Sequence, residues 1–272
     1  MGIKRPTYYY KPKGGRPSDA DLTDRIEEVA MEYPSYGYRR ITAELHRQSL
    51  PVNHKRVLKL MRSQNLLCRA RKAFKATTNS AHSLKKYPNL IKDFVPVRTD
   101  QIWHADITYI RIATSFVYLA ALIDGFSRKV VGYGLGRTLS ADLAMAALLD
   151  AISKRNIEDI IHHSDQGIQY CSADYVKLLK EHGITISKSG KANPYDNAKI
   201  ESFFRTLKVE EVYMFEYDTY REVLERIPYF ISQVYNRKRL HSSLGYMPPE
   251  EFENINNEKE KENESHQLVL TS

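Results

Sequence analysis

A carboxylate stands at the centre of a strongly strand-like segment of this chain, and that placement constrains the fold more than any other feature. Ile102-Trp103-His104-Ala105-Asp106-Ile107-Thr108-Tyr109-Ile110 is apolar, aromatic and β-branched, the composition of a strand buried at least in part. A carboxylate there is costly unless something positive satisfies it. A second acid, Asp165, follows Ile160, Ile161, His162 and His163 and precedes Gly167, so it is expected where a strand ends and the chain turns, at a sheet edge and facing out. A third, Glu201, lies among Ile200, Phe203, Phe204 and Leu207, which recur at helical spacing and form a buried stripe. Glu201, Arg205 and Lys208 fall at i, i+4 and i+7 on one more polar face.

The segments around these acids alternate in period. Strands are expected at 102–112, 116–124 and 129–134, a helix at 140–154, a strand at 159–163, a helix at 173–182 and a strand at 184–188, followed by the Glu201 helix. This is an α/β order, β-β-β-α-β-α-β, ahead of the Glu201 helix. A long amphipathic helix is expected at 219–237, interrupted at Pro228.

Ahead of this core the chain is basic. Residues 1–99 hold 21 Lys and Arg against 8 Asp and Glu, a net +13, whereas residues 100–272 hold 20 against 25, a net −5. The uneven charge points to a polyanion, nucleic acid first. Ser18 or Asp19 can cap a helix to about residue 33 with Leu22, Ile26, Val29 and Ala30 inward; a second helix spans 38–48; and Asn53 caps a third with Val57, Leu58 and Met61 inward. Three short helices with a tight turn before the last form a helix-turn-helix. Its third helix leaves Lys55, Arg56, Lys59 and Arg62 on an outer face, alternatively a solvated basic face or a DNA-contacting one. The basic bias of the whole segment favours DNA.

The domain boundaries that follow are a basic arm at 1–17, the helix-turn-helix domain at 18–68, a basic linker at 69–98, the core with a C-terminal helical extension at 99–253, and a disordered tail at 254–272 rich in Glu, Asn and Lys. The arm interleaves Lys4, Arg5, Lys11, Lys13 and Arg16 with Tyr8, Tyr9 and Tyr10; phosphate contacts and a frayed terminus explain it equally well. Cys68 and Cys171 are the only cysteines and are far apart, which excludes a disulfide framework and a zinc knuckle. The longest apolar run, 117–123, is too short to span a bilayer, and residues 1–16 lack a signal-peptide apolar core. A soluble, cytoplasmic protein is expected.

Four phrases carry a resemblance: Trp103-His104-Ala105-Asp106-Ile107-Thr108-Tyr109, Asp124-Gly125-Phe126-Ser127-Arg128-Lys129-Val130-Val131-Gly132, His163-Ser164-Asp165-Gln166-Gly167-Ile168-Gln169-Tyr170, and Asn193-Pro194-Tyr195-Asp196-Asn197-Ala198 followed by Glu201-Ser202-Phe203-Phe204. In this order they resemble the integrase core of bacterial insertion-sequence transposases, members of the retroviral-integrase-like acidic-triad (DDE) superfamily, over roughly residues 20–253. The 35 residues between Asp165 and Glu201 match the spacing that gives the family its usual description. The resemblance implies a ribonuclease H-like catalytic core, whose mixed five-stranded sheet would bring the Asp106 strand next to the Asp165 strand, and an enzyme that cuts and joins DNA strands. It implies Asp106, Asp165 and Glu201 as metal ligands for two Mg²⁺ (or Mn²⁺) ions, and double-stranded DNA as the partner, engaged by a homo-oligomer. It also implies a nucleoid-associated bacterial protein. In the family, a phrase like Ile3-Lys4-Arg5-Pro6-Thr7-Tyr8-Tyr9-Tyr10 ends a helix-turn-helix that begins upstream, which implies a second-reading-frame product acting alone or fused to the upstream one.

Mg²⁺ takes oxygen ligands and keeps water, which three acids without a Cys or His set can supply. Empty, such acids repel one another and are expected to splay. His104, His162 and His163 raise zinc as an alternative, but packing or substrate contact is the better reading of them. His46, His54 and Cys68 lack the paired spacing of the zinc domain of retroviral integrases. Arg205 and Lys208 are expected beside the metal site on the path of the DNA backbone; for Arg205 the alternative is an ordinary pair with Glu201. Two rival functions are a DNA-binding regulator or inactive remnant, against which the retained acids argue, and a ribonuclease H-like nuclease, against which the basic helical domain argues.

Overall fold

A computed structural model describes residues 18–68, 87–189 and 197–270, with the backbone alone for 261–270. The chain divides into two compact units, 1–70 and 71–272. The basic arm at 1–17, the first part of the linker and the loop ahead of Glu201 at 190–196 lie outside the described residues.

The first unit packs α1 (Asp19–Glu32), α2 (Tyr38–Arg47) and α3 (His54–Ser63). Ser18 opens α1 with a reciprocal cap: its Oγ accepts from the Asp21 N–H while the Asp21 carboxylate accepts from the Ser18 N–H. Asn53 caps α3, accepting from the Lys55 N–H at 2.8 Å. Leu22, Ile26, Val29, Ile41, Leu45, Val57 and Met61 fill the core. Leu60, not the expected Leu58, is the third buried residue of α3, because positions 57, 60, 61 share the helical stripe and 58 lies at its margin.

In the second unit, β1 (Ile102–Arg111), β2 (Phe116–Asp124) and β3 (Val130–Gly136) form an antiparallel meander, and β4 (Ile161–Ser164) and β5 (Thr185–Lys188) extend it in parallel, in the order β3-β2-β1-β4-β5. The crossovers are α4 (Ala141–Ile152) and α6 (Ala173–Glu181), the latter preceded by a one-turn helix α5 (Ile168–Cys171). Alternation along the strands supplies two apolar faces. Trp103, Ala105, Ala120 and Leu122 pack against α4 and α6. Ile110, Val117, Leu119, Ala121 and Ile123 pack against α7 (Ala198–Leu207) and α8 (Tyr220–Tyr229). Gly132 lets α4 press onto β3: a Cβ there would collide with the Ala147 carbonyl and stand 2.6 Å from the Ala151 Cβ.

Pro228 does not end the long helix. Pro228 lies inside α8, where it removes one helical donor, and after α8 the chain widens into a π-helical turn over Phe230–Tyr235. The expected tail needs correction too. The last helix, α9, runs Pro249–Leu270 through a segment expected to be disordered. Pro249 suits a first helical position, Glu and Lys are good helix formers, and Glu253 anchors the start. Its carboxylate, 2% exposed, accepts from both Arg155 terminal nitrogens, from Lys129 Nζ and from Ser127 Oγ. Among the described residues no helix is long and apolar enough to cross a membrane.

Candidate active site

The last pair of the parallel β1–β4 ladder is Ala105 with Ser164. The next residue on each strand is therefore Asp106 and Asp165. Sheet register alone sets Asp106, midway along β1, beside Asp165, just past the end of β4. Asp106 is half-buried, and among the described residues its Oδ1 accepts only from the Ile107 N–H, at 2.8 Å. Asp165 lies just past β4, where its Oδ1 accepts from the Gly167 N–H at 2.8 Å and closes a tight turn. Glu201 is exposed in the first turn of α7, held by burial of Ile200, Phe203, Phe204 and Leu207.

The electrostatics follow from this grouping. Burial, then the Asp165 charge and more weakly that of Glu201, push the Asp106 carboxyl up to about 8, against the pull of the Ile107 N–H and Lys208. Asp106 thus feels both other acids, and Lys208 offsets them only in part. Among the described residues no three acidic, His or Cys side chains converge closely enough to enclose one ion.

The histidines are packed. His163 shares hydrogen bonds with Ser187 Oγ (2.9 Å) and Ser189 Oγ (3.2 Å), and His162 with the Tyr175 hydroxyl (2.8 Å). His104 meets His163 edge-on at 5.7 Å, and burial together with Lys199 and His163 holds it well below its ordinary pKa, so it is neutral.

The basic residues divide into engaged and free. Arg205 is exposed and forms no ion pair with Glu201 among the described residues, and Lys208, half-buried, lies over the Tyr109 ring. On α3, Lys55, Lys59 and Arg62 are exposed, but Arg56 is committed to Asp19 of α1, its Nε donating at 2.8 Å. Sequence spacing puts Arg56 on the outer face without revealing that partner 37 residues away. Two further lysines carry no signal in the sequence. Lys199 donates from Nζ to the Gly125 carbonyl at 2.8 Å, tying α7 to the β2–β3 turn. Lys188, at the end of β5, is 1% exposed. The phrase from Asp124 to Gly132 is structural: buried Asp124 accepts from the N–H groups of Asp100, Phe126 and Ser127 and closes the β2–β3 turn.

An HTH-like domain model matches residues 17–74, and two integrase core domain models match 96–194 and 182–249. The insertion element IS600 31 kDa protein of Shigella sonnei is 36% identical over 259 residues, 93% of this chain and 95% of that protein. The transposase InsF for insertion sequence IS3A of Escherichia coli (strain K12) is 41% identical over 224 residues, 81% of this chain and 77% of that one. The chain belongs to the insertion-sequence transposases. Membership carries the function of the family, transposition and DNA integration, and a polynucleotidyl transferase activity. The fold agrees. A chain of the simian T-cell lymphotropic virus intasome, solved with PP2A regulatory subunit B56 gamma, superposes with a TM-score of 0.50 over 87% of this chain and 74% of that one, at 16% identity. The core is ribonuclease H-like.

Proposed function

We propose that this chain cuts the ends of a mobile element and joins them to target DNA through a divalent-metal site formed by Asp106, Asp165 and Glu201. The observation that carries the reading is the register: Ala105 pairs with Ser164, so two acids lie side by side beyond the ladder, and burial together with the Asp165 charge holds Asp106 up to about 8. The donor set is oxygen only, which fits Mg²⁺ or Mn²⁺. Two such ions would supply activation of the attacking oxygen and stabilisation of the leaving one in an in-line displacement at phosphorus. Asp106 and Asp165 hold the rigid side of the site on the sheet. Glu201 completes it from the first turn of α7.

Around that centre Arg205 and Lys208 meet the phosphates of the strand end, while Lys55, Lys59 and Arg62 on α3 engage duplex DNA. Double-stranded DNA, a second copy of this chain and a fused or separate upstream-frame product are the partners of this reading. The test is a strand-transfer assay with the purified chain, DNA carrying the flanking element ends, and Mg²⁺ or Mn²⁺. Joined products with either cation and none in EDTA are expected. Hydrolysed ends without joining would favour the nuclease reading, and binding without cleavage the regulator.

A further inference from the structure

One buried charge has no place in that chemistry. Lys188 ends β5 at 1% exposure, and its ammonium makes no ion pair among the described residues. Its Nζ donates instead to Ser164 Oγ and to the Tyr170 carbonyl, each at 2.8 Å, and lies 5.4 Å from the Tyr170 ring centroid. An unpaired buried cation is expensive, and an apolar side chain of similar volume would pack there at lower cost. Packing therefore does not account for it.

Its two acceptors do. Ser164 is the last residue of β4, immediately before Asp165, and Tyr170 belongs to α5, the one-turn helix that follows. The ammonium thus clamps both ends of the turn that carries Asp165. Inside the clamp the Gly167 N–H donates to Asp165 Oδ1 at 2.8 Å, and Gln166 Nε2 donates to the Ser189 carbonyl at 3.0 Å, the residue after Lys188. We infer that Lys188 is a positioning residue for Asp165, fixing from the neighbouring strand β5 the turn on which that carboxylate is presented. The inference rests on the proposed metal role of Asp165 and adds to it a residue that touches neither cation nor DNA.

The experiment uses the full chain with Lys188→Met and measures Mn²⁺ binding by electron paramagnetic resonance, amide exchange at Gly167, and the half-saturating concentrations of Mg²⁺ and of DNA ends in strand transfer. Expected are a tenfold or greater loss of Mn²⁺ affinity, a matching rise in the Mg²⁺ requirement, faster exchange at Gly167, and a DNA-end requirement unchanged within twofold. Ser164→Ala, which deletes one acceptor by a single atom, should shift Mn²⁺ affinity threefold or more in the same direction and keeps the test decisive should Lys188→Met not fold. Wild-type Mn²⁺ affinity in a folded Lys188→Met, or in Ser164→Ala, overturns the positioning role. Asp165→Asn serves as reference: if it too binds Mn²⁺ normally, the metal-site reading itself has failed, whereas its loss of affinity beside an unchanged Lys188→Met condemns only the inference about Lys188.

Discussion

The ammonium of Lys208 lies 4.7 Å from the ring centroid of Tyr109, three residues beyond Asp106 on β1. The β4 strand has ended by then, so this side of β1 is open, and Lys208 reaches it from the end of α7. Tyr109 is 39% exposed and meets Phe116 edge-on at 5.4 Å. A cation held on an aromatic face gains about 0.5–1 kcal/mol at an exposed site, enough to favour one position for the charge. Lys208→Ala is expected to raise the DNA-end concentration for half-maximal strand transfer about fivefold at low salt, with a smaller effect as salt rises. Tyr109→Ala should move it in the same direction and Tyr109→Phe should not. An unchanged requirement in Lys208→Ala removes this residue from the DNA path.

The raised Asp106 carboxyl makes a prediction about stability. Its value in the fold, about 8, lies above the ordinary 3.8, so folding takes up a proton between those limits. Without divalent cation, the protein should lose stability as pH rises from about 4 to about 8. Asp106→Asn removes that dependence. Thermal melts in EDTA should show the variant more stable than the parent at pH 7, by about 2–4 °C for each kcal/mol of repulsion relieved. A lower Tm for Asp106→Asn at that pH would mean that the carboxylate is stabilised by something other than cation.

Division of labour on α3 is testable by salt dependence. Each of Lys55→Ala, Lys59→Ala and Arg62→Ala is expected to reduce the slope of log affinity for duplex DNA against log salt by about 0.9 for each phosphate left without its cation. Arg56→Ala should instead leave the slope nearly intact and lower the Tm of the first unit, because Arg56 is paired with Asp19. The opposite assignment, a reduced slope with unchanged Tm, would return Arg56 to the DNA face.

Glu253 tests the anchoring of the last helix. Although burial pushes it up, Arg155 and Lys129 hold its carboxyl below the ordinary value, so its contribution is present above about 4.5 and is lost as pH falls through the lower folded value. Glu253→Ala removes the buried member of the network and leaves part-buried Arg155 only Asp100 as a partner; breaking a buried pair costs about 3–5 kcal/mol. Chemical denaturation at pH 7 should show a loss of that order, shrinking toward pH 3; a change under 1 kcal/mol would reduce the network to a surface contact.

Much of the fold is legible in the sequence because period-2 and period-3.6 patterns report burial directly. All five strands and the three helices of the basic unit lie within a few residues of their expected places, and the adjacency of the Asp106 and Asp165 strands is found in the sheet. What stays hidden depends on partners distant in sequence. Arg56 looks free by spacing because Asp19 lies 37 residues away. Lys188 reads as the polar end of a strand, since nothing local announces that Ser164 and Tyr170 will enclose it. The segment from Asn254 reads as a tail because it is rich in Glu, Asn and Lys, whereas its helix is anchored at Glu253, fastened by Arg155 from 98 residues earlier.

The proposed metal site rests on three acids, Asp106, Asp165 and Glu201. Its most direct test is strand transfer in Mg²⁺ by Asp106→Asn, Asp165→Asn and Glu201→Gln beside the affinity of each for the element end. Removing a ligand from a metal site, while leaving the phosphate-binding cations in place, should abolish cleavage and joining in all three, by roughly a thousandfold or more as expected for loss of metal-assisted chemistry, while DNA affinity stays within about threefold. Near wild-type strand transfer in any one of them would contradict the assignment of that residue.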